Sequence, residues 1–206
     1  MAIVIPGSAG AFQVGLKTGA FAGASAGSVL FNLFLALGST RLIVVNYLRV
    51  QAQVTTKFTT DQAIGFDAIK YRAQTIAMTG GTGVAAPTGL GSPDPSITNK
   101  DLGDLRIATT AALGGLDGLN GAFDAQPFAQ SIGFSAVQNA AAATAYIPQQ
   151  NCELLFQPDI NRGRLPIVLA TGSLGNDGIA VRPTVTLGAA GVLAVTVECG
   201  FYLTYP

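Results

Sequence analysis

Ser25, a handful of aspartates, a small group of arginines and two cysteines are the residues whose types and spacing could carry chemistry. Gly23-Ala24-Ser25-Ala26-Gly27 has the G-x-S-x-G spacing of a hydrolase nucleophile elbow. That device places a serine on a strand-to-helix turn beside a histidine that takes its proton. The chain contains no histidine, and an apolar, strand-like run follows Ser25 where the elbow needs a helix. The match is what a segment rich in Gly, Ala and Ser produces by chance. Gly80-Gly81-Thr82-Gly83 resembles a phosphate-cradling loop but lacks the Gly-Lys-Ser/Thr ending that makes a P-loop. A flexible loop is the simpler reading.

Asp101 and Asp104, with Asp94 and Asp117 near them in sequence, are the densest acids. Hard cations need several converging oxygens, which Asp117 and Asn120 beside glycines could supply in part. Paired carboxylates also serve glycoside hydrolysis. Neither spacing specifies the chemistry, and solvated loop acids account for the pattern. Arg162, Arg164 and Arg182 lie near the C-terminal strands and are expected to form ion pairs with Asp159, with Asp177 or with a neighbouring subunit. Cys152 and Cys199 have no CxxC spacing and read as buried free thiols. No catalytic, cofactor-binding or metal-binding residue is assigned, and no cofactor is expected.

Composition narrows the classes further. The chain has 206 residues, 11 Lys plus Arg against 11 Asp plus Glu, and 11% charged positions, where roughly a quarter is usual. Zero net charge gives no global pull toward nucleic acid or anionic lipid, so neither is an expected partner. The absence of histidine removes imidazole chemistry. So little charge leaves a surface poorly protected against self-association, which predicts that other subunits cover much of it. The uncharged stretch between Lys17 and Arg41 is long enough to span a bilayer. Only Val29 to Leu37 within it is strongly apolar, so a small-residue turn followed by a buried strand is expected.

The elements that must position these residues read as strands. From 41 to 58 the chain alternates, with Leu42, Val44, Asn46, Leu48, Val50, Ala52, Val54, Thr56 and Phe58 on one face. The other face turns polar after Tyr47, so the strand is expected to be buried on both sides at its start and half solvated later. A strand this long calls for a bend or bulge near Arg49. Residues 61 to 73 suit either a helix or a strand by pattern, and a strand is expected because the segment directly before them reads as one. Leu165 to Ala170, Ile179 to Leu187 around Pro183, and Val192 to Tyr205 predict three more. In the last of these Leu193, Val195, Val197, Cys199 and Phe201 share a face. Asn176-Asp177-Gly178 and Gly188 to Gly191 look like hairpin turns that join these three into an antiparallel meander. Pro183 argues for an edge or a bulge. Residues 79 to 99 read as an irregular loop and 134 to 145 allow one short helix. The expected fold is all-β, an antiparallel β-sandwich of jelly-roll type forming a single domain over 1–206, with long Gly/Ala-rich loops. Residues 1–27 are a candidate N-terminal arm.

The succession of residues 41–73, 106–113 (RIATTAAL), 124–129 (DAQPFA) and 164–198 resembles a family of tailed-bacteriophage virion structural proteins. The resemblance covers about half the chain and rests on order rather than on one motif. It implies a non-enzymatic β-sandwich subunit of the particle, such as a head decoration or cement protein, located in the virion. Expected partners are further copies, with a trimer favoured, and the major capsid protein or other virion proteins. Two other classes stay open. One is a carbohydrate- or receptor-binding module of a fibre; the absence of Trp and the five tyrosines argue against a sugar platform. The other is an enzyme using paired carboxylates or a serine with a lysine base.

Overall fold

The computed structural model describes residues 10–20, 22–35, 38–56, 58, 62–83, 102–109, 112–116, 121–135, 151–187 and 191–204. Within them the regular structure is almost all strand. The strands are β1 (Gly10–Lys17), β2 (Phe31–Leu35), β3 (Leu42–Thr56), β4 (Gln62–Gln74), β5 (Thr82–Gly83), β6 (Leu102–Ile107) and β7 (Ala122–Phe123). They continue as β8 (Ala129–Ser135), β9 (Asn151–Phe156), β10 (Ile167–Leu169), β11 (Thr171–Gly172), β12 (Gly175–Pro183) and β13 (Val192–Thr204), with one 3-10 turn at Ile160–Arg162. No described helix is long and apolar enough to cross a membrane. The 18–40 stretch is a turn followed by β2, whose five residues are all buried.

All strand pairs are antiparallel and form two sheets. The first runs β1-β13-β3, with β9 and β10 sharing the outer edge of β3. The second runs β5-β6-β2-β12-β4, with β7 and β8 sharing the outer edge of β4 and β11 folded back on β12. Buried apolar side chains of both sheets form one contiguous cluster, most of it between them. This is a β-sandwich, built as the alternation requires.

The predicted bulge in β3 is present and changes the assignment of its faces. Gly200 of β13 stands opposite Tyr47, but Phe201 stands opposite Val45, so Asn46 is an extra residue in the ladder. Each strand residue flips sides, and one extra residue therefore swaps the buried set. Leu48, Val50, Ala52 and Val54 are core as predicted. Before the bulge the strand is buried on both sides, as expected: Ile43 and Val45 join the core, Val44 is buried on the other face, and Leu42 and Asn46 are not buried. On β13 the predicted face is retained over its whole length: Leu193, Val195, Val197, Cys199, Phe201 and Leu203 are all buried.

The predicted C-terminal meander is not what forms. β10 pairs with β3 in the first sheet, β12 lies between β2 and β4 in the second, and β13 returns to the first between β1 and β3. A short linker can arch from one sheet to the other as readily as it closes a hairpin. The hydrophobic face of β13 finds two long partners, β1 and β3, in the opposite sheet. Asn176, Asp177 and Gly178 lie inside β12 around a register shift, and the tight turn is at Ser173-Leu174. Pro183 is on neither an edge strand nor a bulge. It is the last residue of a central strand, beyond the stretch where β2 pairs, so its missing N–H disrupts no ladder on that side.

Three further expectations fall partly on described residues. Residues 79–83 are not a free loop: β5 pairs with β6, and a Cβ on Gly81 would lie 2.3 Å from the Ile107 carbonyl. Glycine is there because two backbones touch. Phe134 and Ser135 belong to β8, and the rest of the candidate helix 134–145 lies outside the described residues. Of the candidate arm 1–27, Gly10–Lys17 pairs residue for residue with β13 as an integral strand; residues 1–9 lie outside the described set.

Candidate functional site

Two groups of polar side chains stand out, one internal and one at the surface. The internal group lies on the face of the second sheet turned away from the first. Register assigns that face. Lys70 is opposite Ile179 and its Nζ donates to the Val168 carbonyl of β10 at 2.9 Å, so Lys70 and Ile179 look toward the first sheet. Their strand neighbours Ile69, Tyr71, Gly178 and Ala180 therefore look outward. So do Asn32 and Phe34 on β2, and Asp104 and Arg106 on β6.

These residues form a connected chain. The Tyr71 hydroxyl donates to Asn32 Oδ1, and Asn32 Nδ2 donates to Asp104 Oδ2 at 3.0 Å. Arg106 Nε donates to Asp104 at 3.1 Å, and its Nη1 to the Gly80 carbonyl at 2.7 Å. Tyr71 and Asn32 are fully buried. Burial, then the charge of Asp104, hold the Tyr71 hydroxyl well above its usual range, against the opposing hydrogen bond to Asn32. The ring lies between Phe34, stacked at 6.4 Å, and Phe123, edge-on at 6.0 Å. The Arg182 guanidinium covers Phe123 at 4.8 Å and grips Asp67 through two bonds of 2.9 and 2.8 Å. Tyr71, Asn32, Asp104 and Arg106 are bonded to one another in series, and Arg182 to Asp67, so the seam ties together β2, β4, β6, β7 and β12.

The surface group is the β9–β10 connection. β9 ends at Phe156 opposite Leu48, and β10 begins at Ile167 opposite Val45. The two strands run in the same direction along the edge of β3, so residues 157–166 must loop out between them and rejoin that edge three residues further along β3. Asp159 and Arg164 close the loop with reciprocal backbone bonds of 2.9 Å each. Asp159 Oδ1 accepts from the Asn161 amide at 3.1 Å, and Gly163 takes φ +71°, a left-handed value that glycine adopts without strain. Gln157, Pro158, Asp159, Arg162 and Arg164 surround an open pocket of about 320 Å³. Arg162 Nε lies 3.4 Å from Asp159 Oδ2. Arg164 is exposed, and its guanidinium has no partner among the described residues. Two guanidiniums and one carboxylate leave the pocket with one net positive charge.

The predicted residues distribute as follows. Arg162 pairs with Asp159 as expected. Asp177 pairs instead with Lys70 at 2.7 Å, and Arg182 with Asp67, so the three arginines do not form one group. Asp104 is a partnered member of the buried seam; Asp94, Asp101, Asp117 and Asn120 lie outside the described residues. Among the described residues no three His, Cys, Asp or Glu side chains come together as metal ligands. Ser25 is exposed in a turn that leads into β2, where the Ser28 hydroxyl donates to its carbonyl at 2.6 Å. The seam itself had a faint signal in the sequence. Asn32 interrupts the apolar run FNLFL, and a fully buried Asn requires partners.

Cys199 is buried and free, and burial alone pushes its thiol from 9.0 up to about 12. It will resist alkylation in the folded protein, because the thiolate is the nucleophile. The raised value also sets a pH dependence. The unfolded thiol ionises from about pH 9 while the folded one keeps its proton, so stability is intact below 9 and falls between 9 and 12. The slope is about 1.4 kcal/mol per pH unit. Tyr71 adds a second decline above 10. Urea midpoints of wild type and Cys199→Ala between pH 8 and 10 check this; equal slopes would contradict it.

No protein-family model matches the chain, and no curated protein matches it in sequence.

Proposed function

We propose that this chain is a non-enzymatic structural subunit of a bacteriophage particle, a decoration, cement or other assembly protein that works through subunit–subunit contacts. One observation carries the reading. The charges are largely spent inside the chain while large apolar side chains stand in solvent. Asp67, Asp104, Asp124, Asp159, Asp177 and Glu198 each face an Arg or Lys of the same chain. Leu165, Leu174 and Ile76 are exposed by 69, 65 and 58%. A surface with little unpaired charge and several exposed large hydrophobes suits contact with other subunits.

Two further features agree with it. β1 offers eight residues at the edge of its sheet, with no register shift against β13 and Lys17 as its one charge. A long unbulged edge is what another strand pairs with. Strand order also supports the jelly-roll reading. Setting aside the short strands and β6, the chain runs β1, β2, β3, β4, β8, β9, β12, β13. It makes one sheet β1-β13-β3-β9 and the other β2-β12-β4-β8. That order is consistent with two nested Greek keys, the jelly-roll pairing of viral capsid and lectin domains. β6 and the β10 extension are additions at the edges.

The test is mass in solution. Light scattering on purified protein at micromolar concentration is expected to give a defined oligomer, with a trimer favoured, and electron microscopy of particles is expected to locate it on the virion. A stable monomer that is absent from particles would overturn the proposal.

A further inference from the structure

We infer that the β9–β10 loop is a docking seat for a single carboxylate side chain on a protein partner, an acidic peptide segment with apolar neighbours. The inference extends the reading of the chain as a contact-making subunit and names the chemistry of one contact.

The seat is built before any ligand arrives. The reciprocal Asp159–Arg164 backbone bonds, the Asn161 amide on Asp159 Oδ1 and the Arg162 amide on the Asp159 carbonyl at 3.0 Å fix the loop on itself. Binding therefore costs little ordering of the backbone. Arg162 already leans on Asp159, which leaves the Arg164 guanidinium at the pocket wall with no partner among the described residues. A guanidinium presents paired donors that fit a carboxylate or a phosphate. Asp159 decides between them. With one carboxylate already in the pocket the net charge is a single positive, which matches a monoanion and disfavours a dianionic phosphate. The same balance disfavours a nucleic-acid backbone with its run of charges.

The surroundings indicate an acidic side chain carried on a peptide rather than a free anion. Pro158 lines the pocket, and Leu165, the residue after Arg164, is 69% exposed. Val168 follows on β10 at 38% exposed. A carboxylate on a chain with aliphatic neighbours covers this surface, while a bare ion leaves it wet.

The experiment titrates the full-length protein with a blocked Leu-Asp-Leu tripeptide amide, its Leu-Asn-Leu analogue, sodium acetate and inorganic phosphate, followed by NMR. The Asp peptide is expected to shift the amides of residues 157–168 and to weaken about tenfold in Arg164→Gln, the loss of one charge-assisted pair. It is also expected to weaken as NaCl is raised. Arg164 is exposed, so the variant keeps its fold, and its amide spectrum verifies this. Equal binding of the Asn peptide, an unchanged affinity in Arg164→Gln, or no shift at millimolar peptide would overturn the inference. Acetate or phosphate binding as tightly as the peptide would overturn it too, by making the seat a small-anion site. The mass of the same sample separates the two readings: a monomer that binds the Asp peptide refutes self-assembly and leaves the seat standing.

Discussion

Asn32→Leu is expected to destabilise the protein by roughly 3–5 kcal/mol, the cost of breaking a buried polar network by removing one partner. For a chain of this size that is a fall in melting temperature of about 10 °C. The leucine has the same number and branching of side-chain heavy atoms as the asparagine and suits an apolar run, so composition alone would call the change harmless. Its cost is the two groups it orphans. The Tyr71 hydroxyl loses its acceptor, and Asp104 loses the amide that shares its charge with Arg106. Tyr71 is fully buried and Asp104 nearly so. Tyr71→Phe is the informative companion: it removes a single donor, leaves Asp104 satisfied, and costs about 1–2 kcal/mol. Thermal and urea unfolding of both variants check the pair. Equal losses would mean that the Tyr71 bond, not the seam as a whole, is what Asn32 supports.

Gly178→Ala is the second large effect, at about 3 kcal/mol for one added methyl group. A Cβ at Gly178 would lie 2.2 Å from both Cζ and Oη of Tyr71, which is directly opposite in the ladder. The ring cannot swing away, because Phe34 and Phe123 flank it and Asn32 holds its hydroxyl. The same arrangement recurs between Gly200 and Tyr47, where a Cβ would also come within 2.2 Å. Tyr47 is only half-buried and its ring can turn outward, so Gly200→Ala is expected to cost less. At Gly15 the new Cβ would meet Glu198 Cγ at an ordinary 3.7 Å, and Gly15→Ala is expected to be nearly neutral. The ordering Gly178, Gly200, Gly15 is read from urea midpoints. A double-mutant cycle with Tyr71→Ala isolates the clash: with the ring gone, Gly178→Ala loses most of its cost. Additive losses would place the cause in the backbone instead.

The three glycines show where sequence reading stops. Within strands Gly178 and Gly200 look like weak points, since glycine lowers strand propensity. Their role appears only when the ladder sets an aromatic ring across each of them, and that pairing joins residues more than a hundred positions apart. The arginines show the same limit. Arg162 found the acid three positions away, a local contact that spacing anticipates. Arg182 and Asp177 found Asp67 and Lys70, each chosen by the register of β12 against β4 and by the path of β10.

What the sequence determined by itself was the class of object. Alternation with period two marks β3, β12 and β13, because a pleated chain turns successive side chains to opposite faces whatever it pairs with. The need for a bulge near Arg49 was legible too, from strand length. Which strands pair was not. β12 and β13 are neighbours in sequence joined by a short glycine-rich link, and they lie in opposite sheets, because hydrogen-bond ladders and a shared core are satisfied by partners far along the chain. The extra residue at Asn46, the buried seam around Asn32 and the charged seat at Arg164 all depend on that pairing. Periodicity is a local property of the backbone; register and sheet order are global choices, and only the tertiary structure makes them.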